Sequence, residues 1–168
     1  MKGKASGEES SLVSAVIRKL ERRTETLSIA ESCTGGYLAN SVTNIPGASQ
    51  VFEQGFVTYS NSAKTSTLGV PEELLQLHGA VSKEVSLAMA LGALLKSGAT
   101  YALATTGIAG PGGGTTEKPV GTVYIALASK TGEAFAQNYS FQASRTTFKQ
   151  LVAKEAFVLL ESHLRSSP

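Results

Sequence analysis

Tryptophan is absent from this chain, cysteine occurs once and histidine twice. One cysteine cannot close an internal disulfide, so a reducing compartment suits the chain. Neither His-x-x-x-His nor Cys-x-x-Cys spacing occurs, and no acidic cluster replaces them, so neither a metal site nor a cofactor is expected. His78 lies in a Leu-His-Gly turn and His163 near the end of the chain. Both read as surface residues and not as catalytic bases.

Charge of one sign is lacking too. Fifteen basic residues stand against 13 acidic ones, a formal net charge of +2, with both signs scattered. A nucleic-acid surface would need a basic stripe with aromatic platforms, and aromatics make up only 7% of the chain. No apolar run approaches the roughly 20 residues that cross a bilayer. The polar start, Met1 to Ser10, has no apolar segment of the kind a secretory signal carries. These absences point to a cytoplasmic protein with no nucleic-acid or membrane partner. With 168 residues, 42% of them apolar, the chain suffices for one well-buried domain. We expect a disordered polar tail over 1–9 and a single domain over 10–168.

What is present alternates between two periodicities. Leu12, Val13, Val16, Ile17 and Leu20 recur at helical spacing. A buried strand is expected over 26–31, a helix over 36–43 and a turn at Asn44-Ile-Pro-Gly47. Residues 55–60 are β-branched and aromatic, hence a strand, with Asn61 placed to cap a short helix through 67. Pro71 suits the first turn of a helix over 72–77. A longer helix over 82–97 carries the stripe Val85, Ala88, Met89, Gly92 and Leu95 and ends at Gly98. A strand over 101–105, a hairpin from 122–128 and 134–141, and a closing helix over 145–164 complete the pattern. The alternation implies an α/β fold, a three-layer α/β/α sandwich with a mixed sheet, because the late hairpin must be antiparallel. Ligands in such sheets bind beyond the carboxyl ends of the parallel strands.

Two glycine-rich segments begin where expected strands end. Ala-Glu-Ser-Cys-Thr-Gly-Gly at 30–36 joins a hydroxyl and a thiol to glycines that let backbone N–H groups approach a ligand. The segment 105–121 is glycine-rich, contains Pro111 and Pro119, and matches neither a Walker loop nor a dinucleotide fingerprint. It reads either as a long surface turn or as a fixed loop whose N–H groups face an anion, with Lys118 and Arg145 adding positive charge. Ser32 is a candidate nucleophile and needs a base. Without a histidine, Lys64 is the best candidate, provided burial depresses its pKa from roughly 10.4. Tyr59 could relay the proton or hold the lysine. Cys33 is the rival nucleophile, in a Cys33–Glu31–Lys64 arrangement, or else a small buried residue. Glu31 alternatively braces the turn by accepting backbone N–H bonds. Spacing alone leaves Lys64 open as a solvated helix lysine and Tyr59 as a packed strand residue.

These segments, with Gly-Phe-Val-Thr-Tyr-Ser-Asn-x-Ala-Lys at 55–64, Leu-Gly-Val at 68–70, His-Gly-Ala-Val-Ser at 78–82, Thr-Gly-Ile-Ala-Gly-Pro-x-Gly-Gly at 106–114 and Lys-Pro-Val-Gly-Thr-Val at 118–123, resemble the CinA carboxy-terminal domain family in matching order over about residues 12–162. The resemblance implies the three-layer fold, no metal, commonly a homodimer, and nicotinamide mononucleotide amidohydrolase activity, giving nicotinate mononucleotide and ammonia in pyridine nucleotide recycling. It places the nucleophile on Ser32, with Tyr59 and Lys64 assisting. It places substrate binding on Cys33, Thr34, Gly35, Gly36, Thr106, Gly107, Gly110 and Arg145. A Gly-Asp-Arg motif of the family reads Ala143-Ser144-Arg145 here, and the arginine four residues beyond it is Lys149. Relatives often carry an amino-terminal molybdopterin-binding-like domain, whose activities are not transferred to this chain. A second reading is a nucleotide-sensing or partner-binding module without turnover, linked to competence or DNA damage.

Overall fold

The computed structural model describes residues 3–166. Helix α1 (Gly3–Arg23) leads into β1 (Leu27–Glu31), α2 (Tyr37–Thr43), a 3-10 turn (Ala48–Gln50) and β2 (Phe52–Val57). Three helices follow, α3 (Asn61–Leu68), α4 (Glu72–His78) and α5 (Lys83–Ser97), before β3 (Tyr101–Gly107). The hairpin β4 (Thr122–Ser129) and β5 (Ala134–Ser140) precedes the closing helix α6 (Arg145–Ser166).

The five strands form one mixed sheet in the order β2-β1-β3-β4-β5. β1, β2 and β3 run parallel, while β4 and β5 are antiparallel to their neighbours. From β1 the chain moves outward to β2 and then returns to place β3 on the other side of β1. The order therefore reverses between β1 and β3, and their carboxyl ends diverge around a crevice of the kind that binds ligands in open α/β sheets.

Side-chain size differs between the two faces of the sheet. Toward α1, α2 and α6 the strands present Leu27, Ile29, Leu103, Val123, Ile125 and Leu127, packed with Phe148 and Phe157 of α6. Toward α5 they present Ala30, Ala102, Ala104, Ala126 and Ala128, against Val85, Met89, Ala90 and Ala93. Small residues on that face allow α5 to lie close to the strands. Gly92 extends this closeness to α3, because a Cβ there would collide with the carbonyl of Leu68. No helix among the described residues is long and apolar enough to cross a membrane.

The expected three-layer architecture is the observed one, with several local differences. Helix α1 starts at Gly3, so the tail expected to be disordered over 1–9 is helical from residue 3, and residues 1 and 2 lie outside the described residues. Glu8 and Glu9 favour helix. The Glu9 carboxylate also accepts from Ser41 Oγ at 2.9 Å and from the Tyr37 hydroxyl at 3.3 Å, which ties α1 to α2. The strand expected over 55–60 runs instead from Phe52 to Val57, and Ser60, not Asn61, caps α3 by accepting from Ala63 N–H. Leu95 is 84% exposed, because the buried face of α5 centres on Met89, Ala90 and Ala93. His163 is not a surface residue: it packs between Tyr101 and Phe135, with Glu133 3.5 Å from its Nε2. That cluster includes the first residue of β3, at the end of the strand away from the crevice.

Candidate active site

Three strand ends converge on the crevice. Register pairs Glu31 with Val57 of β2 and with Thr105 of β3, so the next residues, Ser32, Thr58 and Thr106, emerge side by side. Two further bonds hold the exits together: Ser32 N–H donates to Thr105 O at 3.0 Å and Thr58 N–H to Glu31 O at 2.8 Å. A hydroxyl pair, Thr34 Oγ1 and Thr105 Oγ1 at 2.8 Å, adds a buried link between the turn after β1 and the end of β3.

Lys64 sits in the first turn of α3, directly after the exit from β2, and its side chain points inward. It is only 1% exposed and among the largest fully buried side chains of the protein. Its Nζ donates to Ser32 Oγ at 3.0 Å, to Thr58 O at 2.9 Å and to Tyr59 O at 3.1 Å. Three acceptors and, among the described residues, no carboxylate surround it. Burial therefore pushes the amine below its ordinary value, with Cys33 pulling weakly the other way. The same geometry serves a neutral amine: two N–H groups on the carbonyls leave a lone pair facing the Ser32 hydroxyl.

The cavity beside this pair has a volume of about 270 Å³. Ser32, Cys33, Tyr59 and Lys64 line it, together with Thr106, Gly107, Gly110 and Arg145. Arg145, the first residue of α6, donates through Nη1 to Gly110 O at 2.6 Å and through Nη2 to the Tyr59 hydroxyl at 3.1 Å. It thus ties the glycine-rich loop to the exit of β2. Gly107 has no space for a side chain, because a Cβ would stand 2.7 Å from Thr122 O and 2.8 Å from Val123 Cβ. Gly110 has φ +75, and a Cβ there would collide with Val120.

Cys33 lines the cavity but is 5% exposed, and its thiol is pushed up to about 12, chiefly by burial. As a nucleophile it is disfavoured. Thr34, Gly35 and Gly36, expected to bind substrate, do not line the cavity. Thr34 is committed to Thr105, and the Gly36 N–H donates to the Glu31 carboxylate. The N-terminus of α2 is thereby capped from within, which is the bracing role weighed for Glu31. Tyr59 contributes its carbonyl to Lys64, while its phenol accepts from Arg145. Lys118 is not on the cavity wall either: its Nζ donates to His78 O at 2.6 Å. The Lys149 amine stands beside Gly35, 3.6 Å from where a Cβ would be.

Sequence reasoning gave no role to Ala80 and Val81, which line the cavity, or to the carbonyls of Thr58 and Tyr59. These contributions come largely from main chain, which residue type does not report. Thr106 Oγ1, donating to Ala80 O at 2.8 Å, is the side-chain trace of that wall.

The model of the CinA C-terminal domain matches residues 9–164. A CinA-like protein of Geotalea uraniireducens is 50% identical over 99% of this chain, and one of Chlorobium chlorochromatii is 60% identical over 74% of it. The chain spans 40% and 29% of the length of those two relatives. Among solved structures, the competence/damage inducible protein CihA from Agrobacterium tumefaciens is 41% identical, with a TM-score of 0.91 over 94% of this chain and 96% of its own. A competence-damaged protein (CinA) superfamily protein from Klebsiella pneumoniae is 33% identical, with a TM-score of 0.91 over 95% and 99%. On the match of its sequence and the likeness of its fold, the chain belongs to the CinA C-terminal domain family.

Proposed function

We propose that this protein is an amidohydrolase acting on nicotinamide mononucleotide, with Ser32 as nucleophile and Lys64 as its base. The observation that carries the reading is the buried Lys64 amine, 3.0 Å from Ser32 Oγ and, among the described residues, without a carboxylate partner. Burial holds this lysine below its ordinary pKa, and in its neutral form it is a proton acceptor already in place beside the serine. The open cavity of about 270 Å³ suits a small molecule.

In the proposed reaction Ser32 Oγ attacks the carboxamide carbon and its proton passes to the neutral Lys64 Nζ. The carbonyl oxygen becomes an oxyanion. Within the turn the N–H groups of Ser32, Gly35, Gly36 and Tyr37 already have internal acceptors, which leaves that of Cys33, a residue of the cavity wall, as its donor. Collapse of the tetrahedral adduct breaks the carbon–nitrogen bond, and Lys64 returns the proton to the departing amide nitrogen as ammonia. Water then attacks the Ser32 ester, with Lys64 taking and returning a proton once more, and the carboxylate leaves. The cationic pyridinium ring makes its carboxamide more electrophilic. The Arg145 guanidinium, which has N–H groups beyond the two in use, and the loop over 110–113 form the pole of the cavity suited to the phosphate.

The test is ammonia release from nicotinamide mononucleotide, with nicotinamide and its riboside as controls. Release from the mononucleotide alone, or far faster than from the controls, is expected. No release from any of the three, with the nucleotide still bound, would replace the enzyme with a binding module.

A further inference from the structure

We infer that Glu31 is a positioning residue: by capping α2 from inside the fold, its carboxylate fixes the turn that presents Ser32 and disfavours the neighbouring Cys33 as a rival nucleophile. The inference rests on the amidohydrolase reading for its catalytic part. Glu31 is the last residue of β1 and is 1% exposed. One carboxylate oxygen accepts from Gly36 N–H at 3.0 Å and Leu38 N–H at 3.1 Å, and the other accepts from Ala39 N–H at 2.9 Å. A helix begins with about four N–H groups that lack intrahelical partners, and here one buried side chain serves three backbone donors at that end.

Two consequences follow for the reaction. The turn from Ser32 to Tyr37 passes through Gly35 at φ +61 and Gly36 at φ +96, conformations that glycine adopts with many neighbours of similar energy. Anchoring Gly36 and α2 to Glu31 restricts that freedom, and with it the direction of the Cys33 N–H group. The second consequence is electrostatic. The positive end of α2 would ordinarily favour a thiolate or an incoming anion, but a carboxylate already occupies it. Glu31 accordingly helps burial to keep the Cys33 thiol protonated, against the pull of the Lys149 cation. Ser32 does not share the penalty, because Lys64 stands 3.0 Å from its oxygen and gains positive charge as the serine loses its proton.

The experiment compares Glu31→Gln with Val42→Ala, a core truncation in α2 that touches none of the Glu31 bonds, at matched loss of thermal stability. An amide at residue 31 must turn its NH2 group toward at least one backbone donor. Two readouts are taken: alkylation of Cys33 by iodoacetamide as a function of pH, followed by intact mass, and kcat and KM for carboxamide hydrolysis. For Glu31→Gln we expect alkylation near pH 8 to rise about tenfold and kcat to fall about tenfold or more, with KM within about twofold. For Val42→Ala both readouts stay within about twofold of the unsubstituted protein. If either readout of Glu31→Gln matches that of Val42→Ala, the inference is overturned. If Glu31→Gln does not fold, Glu31→Asp decides instead. It keeps the charge on a shorter stem, so alkylation should stay low while kcat falls about tenfold, and an unchanged kcat overturns the inference. Should the unsubstituted protein hydrolyse no carboxamide, the amidohydrolase reading fails separately, and the alkylation readout alone decides the role of Glu31.

Discussion

Tyr59 and Lys64 meet through the main chain: the Tyr59 carbonyl accepts from Lys64 Nζ at 3.1 Å, while the Tyr59 hydroxyl accepts from Arg145 at the same distance. The phenol is thus part of the cavity rim. The carbonyl, which any residue at position 59 would supply, helps hold the base.

This division predicts a mild phenotype for Tyr59→Phe. The carbonyl remains and Arg145 loses one exposed partner, worth about 0.5–1.5 kcal/mol. Steady-state kinetics should show kcat within about threefold and most of the change in KM. A loss of about 100-fold in kcat with KM unchanged would put the phenol on the proton path.

Lys64 predicts a pH dependence with a definite sign. Its amine lies below the ordinary lysine value of 10.5 in the folded protein, while the unfolded chain retains that value. Between the two values the unfolded state binds more protons, so stability rises with pH through that window and the cost of burying the charge is greatest below it. Lys64→Met removes the effect. Denaturant titrations should show the unsubstituted protein gaining on Lys64→Met as pH rises toward 10.5, with no further gain above it. The same neutral amine should give kcat/KM an acid limb whose apparent pKa lies below the ordinary lysine range, and Lys64→Arg should abolish turnover because guanidinium does not deprotonate. A stability difference that does not vary with pH would mean that Lys64 is not desolvated as its burial implies.

Two glycines separate stability from function. Alanine at Gly92 meets the Leu68 carbonyl, and alanine at Gly107 meets Thr122 and Val123. Each should cost about 1–3 kcal/mol by overpacking. Thermal denaturation should rank both as destabilised, while only Gly107→Ala, on the cavity wall, should also lower kcat/KM at temperatures where both are folded. Equal activity in the two variants would remove Gly107 from the site.

Much of this architecture was legible because the periodicities were clean. The alternation of short apolar strands with amphipathic helices, and the hairpin around Lys130-Thr-Gly-Glu133, required a mixed sheet, whereas the strand order that puts the switch point between β1 and β3 came only from the structure. Ser32 and Lys64 were legible as chemistry but not as a pair, since spacing of residue types carries no direction for a lysine side chain on a short helix. Two features misled for physical reasons. Glycines before a helix resemble an anion site, but Glu31, one residue ahead of Ser32, fills it through a strand-to-helix bond that no spacing rule reports. His163 looked exposed because it lies near the chain end, yet α6 continues to Ser166 and carries it against Tyr101.

The central claim is that the alcohol of Ser32, and not the thiol beside it, receives the acyl group. Ammonia release from nicotinamide mononucleotide by Ser32→Ala and Cys33→Ala, each with product-nucleotide binding measured in parallel, tests it most directly. We expect Cys33→Ala to keep activity within about threefold, and Ser32→Ala to lose about a thousandfold or more while still binding the nucleotide. Turnover that survives in Ser32→Ala and disappears in Cys33→Ala would contradict the account.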